Sequence, residues 1–339
     1  MTNVEERYAR QAIFPGIGPG GQAELAKSRV AVLGVGALGS VIANNLARAG
    51  VGYIRLIDRD FVELSNLQRQ SVFTEADVRD KLPKAIAAAR YLQSVNSQIE
   101  LEPVISDLNA ANAEMLLKGI DLVLDGTDNF ETRFVLNDAC VKNGLPWVHG
   151  AVLGSYGLTM NIIPGRTPCY RCMMPGIPET PGETCSSAGV LNMITGIIAC
   201  YQSAEAVKIL INSPAVRTES LFIDVWNHSI QSRPLPVNPD CPACARHDYA
   251  FLTARQGTYT TSLCGQNAVQ VLPGNNKNIN FADLAERLRP LGQVEHNRFT
   301  LRFATGEVEA TLFADGRAII RNIDSENKAK ALYAEYFGL

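Results

Sequence analysis

RVAVLGVGALGSVIANNLARAGVGYIRLID, residues 29–58, carries the pattern that predicts how this chain folds. The apolar run Arg29–Leu33 predicts a strand, Leu38–Ala49 has the apolar spacing of a helix, and Tyr53–Ile57 predicts a second strand. A strand, a glycine turn, a helix and another strand are typical of the first unit of a parallel α/β sheet. Ligands of such sheets bind beyond the carboxyl ends of the strands.

Helix and strand patterns continue to alternate after this unit. They predict a helix at Lys84–Val95, a strand at Ile99–Val104, a helix at Ala110–Lys118, a strand at Asp121–Asp125, a helix at Phe134–Lys142 and a strand at Trp147–Val148. We therefore expect an α/β fold with a Rossmann-like, doubly wound and mainly parallel sheet. The segment Pro164–Gly189 is rich in proline and glycine, which predicts a long loop instead.

A second pattern begins beyond Cys244. It predicts strands at Ala268–Leu272, Arg298–Phe303, Glu307–Phe313 and Ala318–Ile323, and helices at Phe281–Leu288 and Ser325–Tyr336. This mixture is typical of a small α+β domain. We expect an α/β domain over residues 1–245, a linker over 246–257 and a C-terminal α+β domain over 258–339, which is long enough to fold by itself.

The composition is that of an ordinary folded protein, with 339 residues of which 46% are hydrophobic and 19% are charged. Thirty-one Lys and Arg against 34 Asp and Glu give a formal net charge of −3, so we expect no binding to nucleic acid or to an anionic membrane. The start MTNVEERYAR lacks the features of an export signal, which predicts a cytoplasmic protein. Glu205 and Lys208 interrupt the apolar stretch Gly189–Ile211, which favours a buried helix over a membrane span.

The glycine turn predicts a site for an adenine nucleotide. Gly34, Gly36 and Gly39, with Ala37 after the second glycine, match G-x-G-x-x-G between a strand and a helix, and Asp58 ends the next strand. Glycines allow backbone N–H groups to approach phosphate closely, and the carboxylate can bind ribose hydroxyls. The motif alone is also compatible with NAD, or with glycines that serve only packing.

Three cations near this turn favour ATP over NAD. Arg69 lies in the polar segment 59–70 that follows Asp58, Lys84 begins the next helix, and Arg10 lies near the N-terminus. A triphosphate carries more charge than the pyrophosphate of NAD and therefore needs more compensation. Each cation alone is also compatible with a solvated surface position, as for most lysines and arginines.

Asp128 is a candidate ligand for Mg2+. It follows the apolar strand 121–125 in the sequence DGTDN, at the edge of the sheet where the nucleotide is expected. Mg2+ is usually held by one or two carboxylates together with phosphate oxygens. An aspartate that only forms a turn is the alternative interpretation.

Eight cysteines without an export signal favour metal binding or thiol chemistry over disulfides. Two C-x-x-C pairs that lie far apart in the sequence offer the four thiolates of a structural Zn2+ site: Cys169, Cys172, Cys241 and Cys244. A redox-active C-x-x-C pair is the alternative.

The other cysteines and the aromatic residues carry weaker signals. Cys185 lies in the proline- and glycine-rich segment and is the candidate nucleophile, although loop thiols are often incidental. Cys140 and Cys200 lie in apolar helical contexts that predict burial. Trp147 and Trp226 are predicted core residues, and the four histidines show no ligand spacing that would assign them a role.

The motifs together resemble the ThiF/MoeB/HesA family of adenylyltransferases, which are bacterial relatives of ubiquitin-activating enzymes. The resemblance covers about residues 5–245 and rests, in this order, on RYARQ, GVGALG, LIDRD, SNLQRQ, LDGTDN, CYRC, TCSSAG and CPAC. With its C-terminal extension, the pattern is most similar to the Bacillus-type ThiF branch, which serves thiamin thiazole synthesis. The resemblance implies that the enzyme uses ATP to adenylate the C-terminal Gly-Gly carboxylate of a ubiquitin-like, ThiS-like sulfur carrier protein. The products would be an acyl-adenylate, for later sulfur transfer, and pyrophosphate.

The resemblance also implies which residues hold the nucleotide. Asp58 matches a ribose ligand, and Asn66, Arg69 and Lys84 match contacts to phosphate. The link before Lys84 is longer than is usual in the family, so Lys81 is an alternative to Lys84 for this contact.

Further implied roles concern metals and partners. Asp128 matches the Mg2+ ligand, and the paired cysteines match Zn2+ ligands. Arg10 matches an arginine that the neighbouring subunit of a homodimer supplies to the active site. Cys185 matches a loop cysteine that bonds to the activated carrier or relays sulfur, with a cysteine desulfurase or sulfurtransferase as a further partner.

Other functions stay open on the sequence alone. Related enzymes activate a molybdopterin-type carrier, as MoeB does, or adenylate a peptide, as MccB-type enzymes do. An NAD-dependent oxidoreductase on the same fold and a non-catalytic, zinc-stabilised binding module are alternatives from other classes.

Overall fold

The computed structural model describes residues 3–177, 188–253, 259–263, 268–272, 279–306, 308–323 and 325–337. The chain divides into two compact units, Met1–Ala254 and Arg255–Leu339. The domain and linker limits given above stay predictions.

The first unit consists of one sheet with helices on both faces. Its strands are β1 Arg29–Leu33, β2 Tyr53–Ile57, β3 Glu100–Val104, β4 Leu122–Asp125, β5 Trp147–Leu153, β6 Tyr156–Ile162, β7 Ser220–Asp224 and β8 Ser229–Arg233. Its helices are α1 Asn3–Ile13, α2 Gly18–Lys27, α3 Ala37–Ala49, α4 Glu75–Arg79, α5 Lys84–Val95, α6 Ala113–Leu116, α7 Phe130–Lys142, α8 Tyr170–Met173 and α9 Asn192–Leu210. Short 3-10 turns lie at Leu64–Asn66 and Ala250–Leu252.

The strand order of this sheet is β3-β2-β1-β4-β5-β6-β7-β8. Strands β1 to β5 are parallel, whereas β6, β7 and β8 run antiparallel to their neighbours. The winding direction therefore changes between β1 and β4, and a crevice opens there beyond Leu33 and Asp125. This topology confirms the Rossmann-like, mainly parallel fold predicted from the sequence.

Apolar side chains from the helices cover both faces of the sheet. Helices α3, α5 and α9 contribute Leu46, Leu92 and Ile198 to the core on one face, and α6 and α7 contribute Leu116 and Phe134 to the core on the other. Strand β1, RVAVL, is buried from its second residue onward. A continuous apolar run is expected for a parallel strand that has helices on both sides. The buried strand fixes the position of the glycine turn that follows it.

Helix α9 is long and apolar enough to cross a membrane by length and composition alone, and 44% of the apolar window is buried. It packs against α3 and against strands β5 and β6. Its polar residues Gln202 and Glu205 are buried, and Gln202 Nε2 donates to the carbonyl of Asp125 at 2.8 Å. The helix is thus part of the core on one side, as predicted, while Met193 and Tyr201 are exposed on the other.

Several details differ from the sequence-based expectations. The predicted helix at Ala110–Lys118 is reduced to α6, because the Asn109 and Asn112 side chains accept hydrogen bonds from nearby backbone N–H groups. Trp226, predicted to be core, is 73% exposed on the turn between β7 and β8. Cys200, predicted to be buried, is exposed.

The region after β5 also differs from expectation. The sequence predicts a loop over Pro164–Gly189, of which residues 178–187 lie outside the described residues. The described part contains α8, because the backbone N–H of Tyr170 donates to Asn137 Oδ1 at 2.8 Å and so fixes the start of this helix. Strands β6 to β8 were not predicted. In β6, YGLTMNI, polar residues that are nevertheless buried interrupt the apolar pattern, and in β8, SIQSR, the side chains are largely exposed.

The second unit contains an antiparallel sheet and two helices. Its elements are β9 Tyr259–Leu263, β10 Ala268–Leu272, α10 Phe281–Leu288, β11 Gln293–His296, β12 Thr300–Ala304, β13 Glu309–Phe313, β14 Ala318–Arg321 and α11 Glu326–Tyr336. The strand order is β11-β12-β13-β14-β10-β9. Alternate residues such as Leu301 and Phe303 face the same core as Leu284 and Phe337. This unit therefore has a hydrophobic core of its own and the α+β architecture predicted for the C-terminal part.

Candidate nucleotide site and four-cysteine cluster

The floor of the crevice is made of backbone in close contact. Gly34 has φ +78°, and a Cβ on Gly39 would lie 1.8 Å from the Gly34 carbonyl oxygen. Gly126, beyond the end of β4, is also in close contact, because its Cβ would lie 2.5 Å from the same oxygen. Only glycine allows the turn after β1, the start of α3 and the loop after β4 to meet at this distance. Backbone N–H groups at the start of α3 can donate hydrogen bonds to a bound anion.

Asp58 lies at the end of β2, beside this turn. Its Oδ2 accepts a hydrogen bond from the Val35 N–H at 2.7 Å, and its Oδ1 accepts one from the Asp60 N–H at 2.7 Å. Burial raises the pKa of Asp58, while the Lys84 ammonium acts in the opposite direction. The carboxylate therefore holds the glycine turn, and each oxygen retains a lone pair that a ribose hydroxyl could use.

Lys84 begins α5 and extends toward the same crevice. It is buried, and its Nζ lies 3.3 Å from Asp60 Oδ2. Burial lowers the pKa of this ammonium. The carboxylates of Asp60, Asp58 and Asp128 together raise the pKa by more than burial lowers it, so the net shift is upward and Lys84 is cationic. The structure thus brings Asp58, Lys84 and Asp128 together. Lys81 lies in the preceding turn with φ 50°.

Arg59 is a second cation of the cluster that the sequence analysis did not single out. Its Nη1 lies 3.2 Å from Asp107 Oδ2, and its Nε lies 3.7 Å from Asp60 Oδ1. Burial lowers its pKa, and the neighbouring carboxylates, led by Asp107, raise it well above the usual value. No local motif marks Asp107 as its partner, since that residue follows β3 and reaches Arg59 only through the pairing of β2 with β3.

Asn66 and Arg69 lie in and just after the short turn Leu64–Asn66. Asn66 is buried, and its Oδ1 accepts the Glu63 N–H at 3.0 Å. The Arg69 guanidinium donates to the Ser65 carbonyl at 3.0 Å and is half-buried. These contacts order the turn and hold Arg69 against it.

Asp128 is exposed in the loop after β4, where its side chain is open to solvent. The loop itself is fixed by Asp125, whose Oδ1 accepts from the Thr127 N–H at 2.9 Å and from Thr127 Oγ1 at 2.6 Å. Helix α7 begins directly after the loop, with Asn129 Oδ1 accepting the Thr132 N–H at 2.8 Å. An exposed carboxylate on an ordered loop is a suitable place for a hard cation.

A buried ion pair lies beneath this loop. Arg133 Nε donates to Asp125 Oδ2 at 3.2 Å, and His149 Nδ1 lies 2.7 Å from the same oxygen. Burial lowers the pKa of His149, so the imidazole is neutral and Arg133 carries the charge that balances Asp125. The sequence does not predict a role for Arg133 or His149, because Arg133 is eight positions from Asp125 and His149 lies on the next strand.

The structure does not bring Arg10 to this cluster. Arg10 is exposed on α1, and the neighbouring Gln11 donates to the carbonyl of Ala49, the last residue of α3. The 13 residues of α3 separate that end from the glycine turn by about 18 Å at 1.5 Å per residue.

The four paired cysteines meet in one cluster. Their sulfur atoms all lie within 4.8 Å of one another, with 3.5 Å between Cys169 and Cys241 and 3.4 Å between Cys172 and Cys244. Tetrahedral Zn2+ with bonds of about 2.3 Å requires sulfur atoms about 3.8 Å apart, so this donor set fits Zn2+. Burial and the adjacent sulfurs raise the pKa of Cys169, and they raise that of Cys244 to about 12. A bound cation would stabilise the thiolates in this place.

The remaining cysteines have different environments. Cys140 is buried, and burial raises the pKa of its thiol, as expected for an inert position. Cys200 is exposed on α9. Cys185, the candidate nucleophile, lies outside the described residues.

Comparison with known proteins covers both units. The sequence profile of the ThiF family matches residues 8–243. The chain is 39% identical over 338 residues to the sulfur carrier protein ThiS adenylyltransferase of Bacillus subtilis, and this match covers 98% of the chain and 99% of the relative. It is 36% identical over 247 residues to the sulfur carrier protein adenylyltransferase of Thermus thermophilus, covering 70% of the chain and 90% of that relative.

Two further proteins match about 70% of the chain. The SAMP-activating enzyme E1 of Haloferax volcanii is 40% identical over 242 residues, which cover 70% of this chain and 88% of that relative. The crystal structure of E. coli MccB with MccA-N7isoASN has a TM-score of 0.64 and 24% sequence identity, and the match covers 71% of this chain and 74% of that chain. The likeness to MccB concerns the fold.

Proposed function

The chain belongs to the ThiF family, and we propose that it uses ATP to adenylate the C-terminal carboxylate of a ubiquitin-like sulfur carrier protein. The proposal rests on the convergence of Asp58, Lys84 and Asp128 at the glycine turn between β1 and β4. It is supported by the names of the relatives, which act on the sulfur carrier ThiS in Bacillus subtilis and on a sulfur carrier protein in Thermus thermophilus. The similarity to these relatives favours, as the substrate of this chain, a ThiS-like carrier that ends in Gly-Gly and is used for thiamin thiazole synthesis.

The chemistry requires charge neutralisation more than proton transfer. A carboxylate oxygen of the carrier forms a bond to the α-phosphorus of ATP, and the bond from that phosphorus to pyrophosphate breaks, with the electron pair leaving on pyrophosphate. The carboxylate is already ionised at neutral pH, so no general base is needed. Both reactants are anionic, and cations must therefore balance the charge that develops on the phosphates.

The side chains around the crevice have the types that such a reaction needs. In this proposal Asp58 binds the ribose hydroxyls, while Lys84, Arg69 and Asn66 contact the phosphates. Mg2+ held at Asp128 would neutralise phosphate oxygens when bound. The placement of Lys84 among carboxylates that also border the nucleotide favours it over Lys81 for the phosphate contact. The reaction consumes ATP, which is available in the cytoplasm. We expect the protein to act there.

The four-cysteine cluster is proposed to bind Zn2+ in a structural role. All four ligand positions are filled by cysteine, which leaves no open position for a catalytic water. The cluster joins the segment around Cys169 to the segment around Cys244, and these segments are otherwise distant in the sequence.

A homodimer would explain the position of Arg10. Its helix contacts the C-terminal end of α3, about 18 Å along α3 from the glycine turn of its own chain, and we infer that a second copy supplies this arginine to the site. The exposed apolar side chains Met193, Ile197 and Tyr201 follow each other along α9 and offer a surface that a second copy could cover. Transfer of sulfur to the adenylated carrier would require a sulfur donor such as a cysteine desulfurase or sulfurtransferase. Cys185 remains the candidate nucleophile that would bond to the activated carrier or relay sulfur.

Exchange of radiolabelled pyrophosphate into ATP tests this function. The assay uses purified protein with Mg2+ and each Gly-Gly-ending carrier protein of the source organism, with a free peptide and a molybdopterin-type carrier as further arms. We expect exchange with a ThiS-like carrier and none with the same carrier lacking its last glycine. Exchange with only the molybdopterin-type carrier or only the peptide would identify another substrate, and binding of NAD without any exchange would overturn the proposal.

A further inference from the structure

We propose that Arg133 is a positioning residue that holds the Asp128 loop in the geometry needed for Mg2+. This inference deepens the proposed function and rests on it for the role of Asp128 as a metal ligand. Arg133 acts on Asp128 through Thr127, the residue that precedes Asp128 in the chain.

Thr127 is held at each of its three hydrogen-bonding groups. Its N–H and its hydroxyl both donate to Asp125 Oδ1, at 2.9 Å and 2.6 Å, and its carbonyl oxygen accepts a hydrogen bond from Arg133 Nη2. The residue before Asp128 is therefore fixed at its N–H, its hydroxyl and its carbonyl, whereas the Asp128 side chain is exposed.

Arg133 is itself held rigidly. Its Nε donates to Asp125 Oδ2 at 3.2 Å, and its Nη2 lies 3.4 Å from the carbonyl oxygen of Gly150. The Tyr170 side chain also interacts electrostatically with this guanidinium. Arg133 is 7% exposed and Asp125 is fully buried, so the pair is sheltered from the solvent screening that weakens surface ion pairs.

The planar guanidinium explains why arginine is needed at this position. It donates at the same time to a carboxylate on one side and to carbonyl oxygens on the other, which a single ammonium group cannot do in one geometry. Partners that orient a metal ligand typically change metal affinity or activity by about 10–100-fold when they are removed. Loss of Arg133 should therefore weaken the response to Mg2+ specifically.

The test compares Arg133→Lys and Arg133→Gln with Arg55→Gln as a matched control. Arg55 also pairs with a carboxylate, Glu102 at 2.8 Å, and donates to a carbonyl oxygen, that of Leu116 at 2.6 Å, but it lies on the middle of β2 away from the Asp128 loop. Arg133→Lys keeps the buried positive charge beside Asp125, so this variant is expected to stay folded even if Arg133→Gln does not. Thr127→Val removes only the hydroxyl contact to Asp125 and provides a second, milder variant.

Two readouts separate positioning from general stability. The first is the ATP dissociation constant, measured calorimetrically in EDTA and again in saturating Mg2+. The second is the Mg2+ concentration that half-saturates carrier-dependent exchange. For both Arg133 variants we expect ATP binding in EDTA within about twofold of wild type, and a half-saturating Mg2+ concentration raised about 10–100-fold. Arg55→Gln should match wild type in both readouts.

An unchanged Mg2+ response in Arg133→Lys and Thr127→Val would overturn the inference, as would an equal change in Arg55→Gln. Failure of the proposed function is distinguishable, because wild type would then show no exchange with any carrier. The effect of Mg2+ on ATP binding would still report on Arg133 in that case.

Discussion

Gly39 shows how little space the nucleotide turn leaves. A Cβ at this position would lie 1.8 Å from the Gly34 carbonyl oxygen, and both atoms belong to parts of the backbone that the sheet and α3 hold in place. The glycines of the turn thus determine the fold of the crevice before any ligand binds.

Replacing Gly39 by alanine should therefore destabilise the protein even without nucleotide. We expect a loss of about 1–3 kcal/mol, the usual cost of forcing an extra methyl group into a packed site. Thermal unfolding followed by circular dichroism measures it. Gly20→Ala is the control, since a Cβ there meets nothing within 4 Å and the residue lies in α2. Equal melting temperatures for Gly39→Ala and wild type would show that the turn is more adaptable than its contacts imply.

His149 makes stability depend on pH. Burial lowers its pKa in the folded protein, although its hydrogen bond to Asp125 opposes this shift. In the unfolded chain His149 takes up a proton near pH 6.5, whereas in the folded protein it does so only at lower pH. Its contribution to stability is therefore complete above about pH 6.5 and is lost as the pH falls through the folded-state pKa.

His149→Gln should flatten this dependence. The glutamine side chain can still donate a hydrogen bond toward Asp125 but cannot be protonated. Melting temperatures measured from about pH 8 to about pH 5 should fall more steeply for wild type than for the variant. Parallel curves for the two proteins would contradict a buried, neutral His149.

At the scale of elements, α7 connects the two sites. Its first residue follows the Asp128 loop, and on a later turn Asp138 pairs with Arg171 at 3.1 Å, between the first two cysteines of the cluster. The Tyr170 N–H donates to Asn137 of the same helix at 2.8 Å. The four-cysteine cluster and the nucleotide loop are thus attached to one rigid helix.

Loss of one cysteine of the cluster should remove the metal and destabilise the first unit. For Cys172→Ser we expect metal content to fall from about one Zn2+ per chain to well below that, with a lower melting temperature, because a structural site needs four ligands. Metal analysis of freshly purified, reduced protein checks this. Cys200→Ser, at an exposed cysteine outside the cluster, should keep its metal, and a wild type without Zn2+ would contradict the assignment.

The helices and strands differ in how well the sequence predicted them. The unit from β1 to β2 was predicted within one residue, because burial on both faces gives an uninterrupted apolar run. Strand β8 was missed because its side chains are largely exposed and carry no apolar pattern. The same reason explains Trp226, whose size suggested burial although it lies on a turn.

The site was predictable only where it is local in sequence. Asp58 and the glycines have a fixed spacing, and the C-x-x-C motif occurs twice, which identifies its four cysteines as one set of ligands. Arg59 and Arg133 were missed because their partners, Asp107 and Asp125, meet them through strand pairing and the start of a helix. No spacing rule along the chain describes such contacts.

At the scale of the whole molecule, Arg10 and Asp128 should act in different subunits of one active site. Neither Arg10→Ala nor Asp128→Ala alone should support exchange. When the two variants are unfolded together and refolded in equal amounts, half of the dimers should be mixed, and one of their two sites should be intact. We therefore expect recovery of about a quarter of wild-type exchange activity. No recovery in a sample shown to contain mixed dimers would exclude a contribution of Arg10 across subunits.

Carrier-dependent pyrophosphate exchange by wild type, Arg69→Ala and Asp128→Ala is the most direct measurement of the central claim, that the crevice holds a magnesium nucleotide in line with the carboxylate of a carrier. We predict that wild type catalyses exchange only with an intact carrier C-terminus and that each variant, still folded, loses about 100-fold or more of the rate. Near-normal exchange by both variants, or exchange by wild type without the carrier, would contradict it.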